Sequence, residues 1–500
     1  MAGYNKNDKA FLNEAFEKLF RSVGINIGTF TDFLSDNNEI VVETPTALYV
    51  ETTGDDRNPG TKDKPFKTIQ AAIDYTAGFK RTRTVTINVG VGNFAGFRFS
   101  NLNSSTLGYL ASSGITVSGT IIDATLSQGN VTEAITAYYA PPANSNCDLL
   151  PKITCAAANW ATDELVNKFV ALTSTTGVTS YRTVVKNTAT EIYLNFSTTV
   201  TTAYQLRIME PGTVIDSIYS IPPGATPTSG SLIWVGGRVS NGSLSVRNCK
   251  LVAGTSVTGL RGDENFAASF TNCRFEYNNT DFFTSVTKNS SLSLNSCIAK
   301  SGSVRYLVGN SEENSSFSFG SSTYVGNGQS VYGLCFRFSR GAVTISGSTI
   351  RDLYYGLGLM GIADTFDIYD VRLINCSNGL NVGGSSQNTS LVGGTCLRFQ
   401  RIYADNITSH LFALQGDNVV AMTTNGSYSA NRNNIWNNIG GYIYYVLDGA
   451  RMEVVSGQST TPGTQGEIYL DGTGYTFANL TAATKKTITD PLTLSKIREI

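Results

Sequence analysis

The chain has 500 residues, more than one ordinary compact core supports, since such cores stop growing near ~250–300 residues. It therefore either splits into domains or grows in one direction as a solenoid. Charged residues make up 15% against a usual ~25%, and the net charge is −1, which argues against nucleic acid as a partner because phosphate contacts need clustered Lys and Arg.

In chain order, the first predicted element is a helix from Asp8 to Val23, capped by Asn7 or Asp8 and ended by Gly24. Leu12, Phe16, Leu19 and Val23 form a heptad seam on it. Two readings stay open: a helix packed on its own domain, or a short oligomerising or docking helix. The polar start, Met1 to Ala10, lacks the apolar core of a signal peptide, and no run of ~18 apolar residues predicts a membrane span. Synthesis in a reducing cytosol with free thiols is expected.

A strand at Tyr49-Val50 then enters a loop, Gly54-Asp55-Asp56-Arg57-Asn58-Pro59-Gly60-Thr61. A short helix follows, with Ile69, Ala72 and Ile73 on one face, suited to cover the open end of a β stack. The Asp55, Asp56 and Asn58 cluster reads as turn chemistry in preference to a Ca²⁺ loop, because it lacks the glutamate spacing. Thr84 to Val89 alternates as a half-buried strand. From about Gly114 to Asp216 short strands and Thr/Gly turns suggest a small inserted all-β domain, which includes Cys147 and Cys155.

The strongest signal begins at Ser243. Ser243–Cys249, Ala267–Cys273 and Ser291–Cys297 align at steps of 24 residues, and the pattern continues at Phe317, Val343 and Phe366, with Leu397 a further candidate start. Residues i and i+2 of a strand share a face. Stacked coils would thus form inward columns: Leu244/Ala268/Leu292/Phe317/Val343/Phe366, Val246/Phe270/Leu294/Phe319/Ile345/Ile368, and Leu251/Phe275/Ala299/Tyr324/Ile350/Leu373. Cys249, Cys273 and Cys297 would stack with Ser322 and Ser348 as small buried residues, in preference to a metal or disulfide ladder. A period of this length fits two or three short strands per repeat and is too short for a propeller blade. The expected fold class is all-β: a right-handed parallel β-helix with a short N-terminal helix and an inserted small β domain. The expected segments are 1–45 (attachment or oligomerisation), 46–113 (first coils and covering helix), 114–216 (insertion), 217–415 (body) and 416–500 (last coils and a cap or trimer clasp).

The stretch from Gly54 through Asn58-Pro59-Gly60-Thr61 to Pro65-Phe66-Lys67-Thr68-Ile69-Gln70-Ala71-Ala72-Ile73, followed by β coils, resembles the start of the β-helix in bacteriophage tailspikes and related tail fibres of the pectate-lyase-like superfamily. The match is specific over roughly residues 49–100 and architectural beyond. The resemblance implies a homotrimer on a phage virion. Its N-terminal segment would attach to the tail or an adaptor protein through Leu12, Phe16, Leu19 and Val23. Gly466–Gly474, Phe477 and Leu480 would lie in the cap or clasp. It implies recognition of a host surface polysaccharide, without cofactor, metal or membrane insertion. The alternatives are a depolymerase, hydrolase or lyase, and a purely structural fibre.

Glycoside hydrolysis needs two carboxylates about 5–10 Å apart, which neighbouring coils at ~4.8 Å can supply. The candidates are Glu276, Asp281, Glu312, Glu313, Asp352 and Asp364, none with a motif. Glu276 and Lys300 should face outward on successive coils as an ion pair. A lyase would draw on Lys300, Arg305 or Arg351. Aromatic faces for sugar contact are sought at Trp234, Tyr277, Tyr306, Tyr332, Tyr354 and Tyr355. The single histidine, His410, is expected to be a surface or turn residue and makes Ser-His or Cys-His catalysis improbable.

Overall fold

The computed structural model describes most of residues 46–470; residues 1–45 and 471–500 lie outside it, as do 78–83, 101–113, 143–148, 196–199, 218–229 and several later loop segments. The attachment seam Leu12, Phe16, Leu19 and Val23, and the residues Phe477 and Leu480, therefore lie outside the described residues.

The chain is a parallel β-helix with a small antiparallel domain inserted into one of its early coils. Each complete coil contributes one strand to each of three faces. The first face is a sheet of twelve parallel strands, from Ala47–Val50 to Arg451–Val454, and the second has eleven, from Gly92–Ala95 to Ser459–Thr460. The third face runs as four strands, Phe97–Ser100 to Thr284–Val286, and then seven, Tyr306–Val308 to Gly466–Leu470. Gly466–Leu470, in the segment expected to hold the last coils and a cap or trimer clasp, is one more rung, paired with Tyr442–Leu447. Its alternating Glu-Ile-Tyr-Leu sequence suits a strand in either place, so local pattern could not separate the two.

The inward columns form as the 24-residue spacing predicts. Leu244 pairs Ala268, and the column runs on through Leu292, Phe317, Val343 and Phe366, with the backbone register continuing to Leu397. Val246, Phe270, Leu294, Phe319, Ile345, Ile368 and Phe399 lie beside it, all at most 3% exposed. Each such side chain contributes about 1.5–3 kcal/mol of burial, and the repeat multiplies that along the axis. Cys249, Cys273 and Cys297 are free, buried thiols that donate to strand carbonyls, for example Cys297 Sγ to Phe270 O at 3.5 Å. Ser322 and Ser348 continue the column at 0% exposure, each bonding the carbonyl two residues earlier.

The corner before that column is one residue in the left-handed region: Asn248, Asn272, Ser296, Ser321, Gly347, Asp370 and Arg401, with φ between 50° and 58°. A second left-handed position lies at or near the end of the second-face strands, at Asp352, Asn375, Asn406 and Asn438. Asn and Asp tolerate this conformation because their short polar side chains bond locally. Here they also bond along the stack: Asn375 Nδ2 to Asp352 Oδ1 at 3.1 Å, and Asn406 Nδ2 to Asn375 Oδ1 at 2.9 Å.

The open N-terminal edge is closed as expected, and more completely. Gly60 (φ 74°) accepts a bond from Tyr49 N, and Phe66 pairs in parallel with Val50. The loop therefore acts as an extra rung before the helix Ile69–Ala77 packs on the first coils through buried Ile69, Ala72 and Ile73. Thr68 caps that helix by accepting from Ala71 N at 3.1 Å, and Asp56 fixes the cap by accepting from Lys67 N and Thr68 N at 2.9 and 2.8 Å. Asp55 accepts from Arg57 N, and Asn58 donates to Pro65 O, so this cluster performs turn chemistry. Among the described residues no helix is long and apolar enough to cross a membrane.

The inserted domain is an eight-stranded sheet between Ile121–Asp123 and Gln205–Pro211. Ile115–Ser118 and Thr213–Ser217, at the margins of the expected 114–216 segment, belong to the coil stack instead. Its own core holds Trp160, Leu165, Leu172, Val184, Ile192 and Ile208.

Candidate functional site

Two sets of polar side chains lie outside the core columns. The first is the seam where the inserted domain covers the outer side of the second face. Along this face the residue after the small column points out of the solenoid: Arg274, Ile298, Thr323, Thr349 and Arg372. All five are at most 9% exposed because the insertion lies over them. Ile298 packs with Phe169, Ala171 and Met209. Asn195 is the polar centre of the seam: its Nδ2 donates to Thr323 Oγ1 at 2.6 Å, its Oδ1 accepts from Thr349 Oγ1 at 2.5 Å, and its carbonyl accepts from Arg372 Nη1 at 3.3 Å.

The candidate acid Glu276 lies at the edge of this seam, within a charge network. Arg274 and Glu276 are ion-paired, Lys250 Nζ reaches Glu276 at 2.8 Å, and Glu210 of the insertion lies 2.5 Å from Lys168 and 3.8 Å from Arg274. Burial pushes the Glu276 carboxyl up, but the Arg274 charge and the Lys250 hydrogen bond outweigh it and hold it below its ordinary value. A general acid needs the opposite shift. Lys300 is indeed the register neighbour of Glu276, yet Glu276 bonds Lys250 and Arg274 in its place, since those cations reach it from the same strand and the preceding coil.

Asp352 is a left-handed corner residue that accepts from Arg351 Nε at 2.8 Å and from Asn375. Arg351 also donates to Val185 O at 3.0 Å, so it belongs to the seam. Asp281, Glu312, Glu313, Asp364 and Arg305 lie outside the described residues.

Of the expected sugar-contacting aromatics, the side chains of Trp234, Tyr354 and Tyr355 are described. Trp234 is half-buried with the Arg98 guanidinium 3.9 Å over its ring. Tyr354 is 43% exposed and meets Tyr355 edge-on at 4.6 Å between centroids. Backbone register aligns Tyr306, Tyr332 and Tyr355 on successive coils. The side chains of Tyr277, Tyr306 and Tyr332 lie outside the described residues. His410 is half-buried, and burial lowers its pKa.

The second set was not anticipated from sequence. On the outer face of the inserted sheet, register aligns Tyr139 with Lys152, Lys152 with Tyr193, and Tyr193 with Lys186. The result is a Tyr–Lys–Tyr–Lys row across four antiparallel strands, roughly 14 Å long at ~4.8 Å per strand. Together with Leu149 and Leu150 it lines a concave site of about 360 Å³. The intervening residues Ile153, Ile192 and Leu194 turn into the domain core, which forces the row outward. Lys186 Nζ lies 4.6 Å from the Tyr193 ring centroid. Glu191 accepts from Lys152 Nζ at 2.8 Å and from Tyr193 Oη at 2.7 Å. Those two hydrogen bonds, that from Lys152 first, hold the Glu191 carboxyl below its ordinary value. The bond to Glu191 in turn raises the pKa of Lys152 and of Tyr193.

Part of this row was readable. In Glu191-Ile192-Tyr193-Leu194 the apolar pair fixes Tyr193 on the opposite face. That Lys152, some forty residues earlier, is its cross-strand neighbour has no local signal. Among the described residues no group of three or more His, Cys, Asp or Glu is placed to hold a metal ion.

No protein-family model matches the chain, and no curated protein matches it. Among solved structures, it is similar to a glycoside hydrolase with a TM-score of 0.33 at 10% identity, over 90% of this chain and 99% of that one. A polygalacturonase from Erwinia carotovora ssp. carotovora aligns with a TM-score of 0.26 at 9% identity, over 89% and 94%. A tailspike of Acinetobacter baumannii bacteriophage AP22, in complex with a capsular saccharide of its host, aligns at 0.17 and 10%, over 83% and 74%. These likenesses are distant and assign no activity.

Proposed function

We propose that the chain is a spike or fibre of a phage virion that recognises a glycan on the host cell surface and holds it without cleaving it. The observation that carries this reading is the Tyr139–Lys152–Tyr193–Lys186 row, an outward aromatic and cationic surface on a domain fixed to a long stack of coils. Tyrosine rings offer apolar faces to sugar C–H groups and a polar edge to hydroxyls. The buried seam at Asn195 and Ile298 holds that surface in a fixed place on the shaft. The resemblance of residues 49–100 to the start of tailspike β-helices supports the virion assignment. A homotrimer attached through the segment carrying Leu12, Phe16, Leu19 and Val23 completes the reading, and three copies would strengthen weak glycan contacts through effective concentration. Of the described candidate acids, Glu276 is ion-paired and Asp352 holds a corner, so neither is set up as a general acid.

The test is to incubate the purified chain with capsular polysaccharides and lipopolysaccharides from a host panel. Binding, new reducing ends and unsaturated-uronate absorbance are followed together. Binding without products is expected. Products would make the chain a depolymerase, and absence of binding across the panel would leave a structural fibre.

A further inference from the structure

The charge of the row on the inserted sheet narrows the glycan it suits, an argument that rests on the recognition reading above. Glu191 is fully engaged: one carboxylate oxygen takes Lys152 and the other takes the Tyr193 hydroxyl. Lys152 is thereby neutralised. Lys186 is not, for its side chain is exposed and no described carboxylate lies within ion-pair distance of it. Two lysines against one glutamate leave the site with one unmatched positive charge. That charge sits at one end of the row, beside the Tyr193 ring. Tyr139 and Leu149, each 42% exposed, mark the other side of the site as apolar and open.

We infer that this site binds a sugar residue bearing a carboxylate, with the ring stacked along the Tyr139–Tyr193 side and the carboxylate held by Lys186. A neutral sugar would meet the same tyrosines but leave the ammonium unmatched. A carboxylate accepts a charge-assisted hydrogen bond, roughly twice as strong as a neutral one. The volume, about 360 Å³, lies at the small end of ligand sites, which commonly span ~300–1,000 Å³. It therefore suits a terminal or branch sugar in preference to a continuous polymer chain. The site is formed by residues of the insertion alone, so it is separate from the coil faces on which Glu276 and Asp352 lie.

The experiment titrates the full chain with methyl glucuronide and with its carboxyl-reduced counterpart, methyl glucoside, followed by saturation-transfer NMR. The same titration is made on Lys186→Gln and Lys186→Arg. Lys186 is exposed, so both variants should fold, which circular dichroism checks. The glucuronide should bind more tightly than the glucoside. Lys186→Gln should weaken it about tenfold, the loss expected for one hydrogen bond to a charged group, while Lys186→Arg retains it. Added salt should weaken the glucuronide alone. Equal binding of the two sugars, or a Lys186→Gln variant that binds the glucuronide unchanged, overturns the inference. If neither sugar binds while whole host polysaccharides do, the inference falls and glycan recognition stands. If no polysaccharide binds either, the recognition reading falls with it.

Discussion

The Thr349 hydroxyl donates to Asn195 Oδ1 at 2.5 Å across 154 residues of sequence, joining the second face of the solenoid to the domain inserted before it. Both residues are at most 4% exposed, and Asn195 also bonds Thr183 and Thr323. Asn195→Ala would leave the buried Thr349 hydroxyl without its acceptor and remove the amide that donates to Thr183 and Thr323, whose hydroxyls keep their bonds to Ser321 O and Val184 O. We expect a loss of about 2–4 kcal/mol, because each unsatisfied buried polar group costs about 1–3 kcal/mol. Denaturant unfolding should then show the insertion melting before the coils, and limited proteolysis should cut first within 121–211. A single cooperative transition at the wild-type midpoint would contradict the seam.

Glu276 gives the seam a pH dependence. Its carboxyl is held below the ordinary value in the folded chain despite burial, by the Arg274 charge and the Lys250 hydrogen bond. A depressed folded value means that its contribution is complete above the unfolded pKa, near ~4.3, and disappears as pH falls through the folded one. Glu276→Gln should cost about 1–2 kcal/mol at neutral pH. The gap from wild type should close on acidification below the ordinary carboxyl range. Thermal melts of both proteins across that range provide the measurement, and a gap that stays constant with pH would refute the assignment.

The buried thiols should be inert. Burial pushes Cys376 up to about 12 and Cys155 likewise to about 12, and it raises Cys249 and Cys297 well above the ordinary thiol. The thiolate is the reactive species. At pH ~8, iodoacetamide should leave Cys155, Cys249, Cys273, Cys297 and Cys376 unmodified in the folded chain and alkylate all five in denaturant. Peptide mapping by mass spectrometry reads this directly. Native labelling at Cys273 would mean that the column is open to solvent.

The left-handed corner before the thiol column distinguishes residues by backbone conformation alone. Gly347 (φ 53°) and Ser321 (φ 50°) occupy equivalent places on successive coils. Gly347→Val should cost about 1–2 kcal/mol, since a β-branched residue is strained there. Ser321→Gly should be neutral or stabilising by about 0.5 kcal/mol, because the bonds described at Ser321 run through its backbone. Opposite signs in chemical denaturation would show that the corner is misassigned.

The coil stack was legible because one physical signal repeats. Two apolar residues one apart, a small residue, then another apolar residue specify three inward columns, and Leu244 to Phe366 stack as that spacing requires. Past Leu397 the backbone register passes through Ala421 and Met452, a sequence too weakly patterned to be recognised, yet the rungs continue. The left-handed corners were also hidden. Asn248 and Asn272 hint at them, but Ser296, Ser321 and Arg401 carry no such mark and are held there by the coils on either side. Ile298 shows the deeper limit. It is an apolar residue on the outer side of a strand, and only the distant Phe169 and Met209 explain it. The alternation that exposes an outward face says nothing of what covers it, so the charge network at Glu276 lay beyond local reasoning, and of the tyrosine–lysine row only the face of Tyr193 was readable, not its cross-strand neighbours.

The insertion leaves and rejoins the solenoid at nearly one point: Gly212 N donates to Thr120 O at 2.8 Å, and Thr120 N in turn donates to Thr213 Oγ1 at 2.8 Å. At that corner the later coils need only a single left-handed residue. A guest whose two ends touch leaves the chain path of its host undisturbed, because the strands before and after it keep their register whatever the length of the span between them. The corner is thus a splice port. The chain path would accept another domain there, but the seam would not: Ile298, Thr323 and Thr349 on the later coils are shaped for the domain now covering them, so shaft and guest must change together.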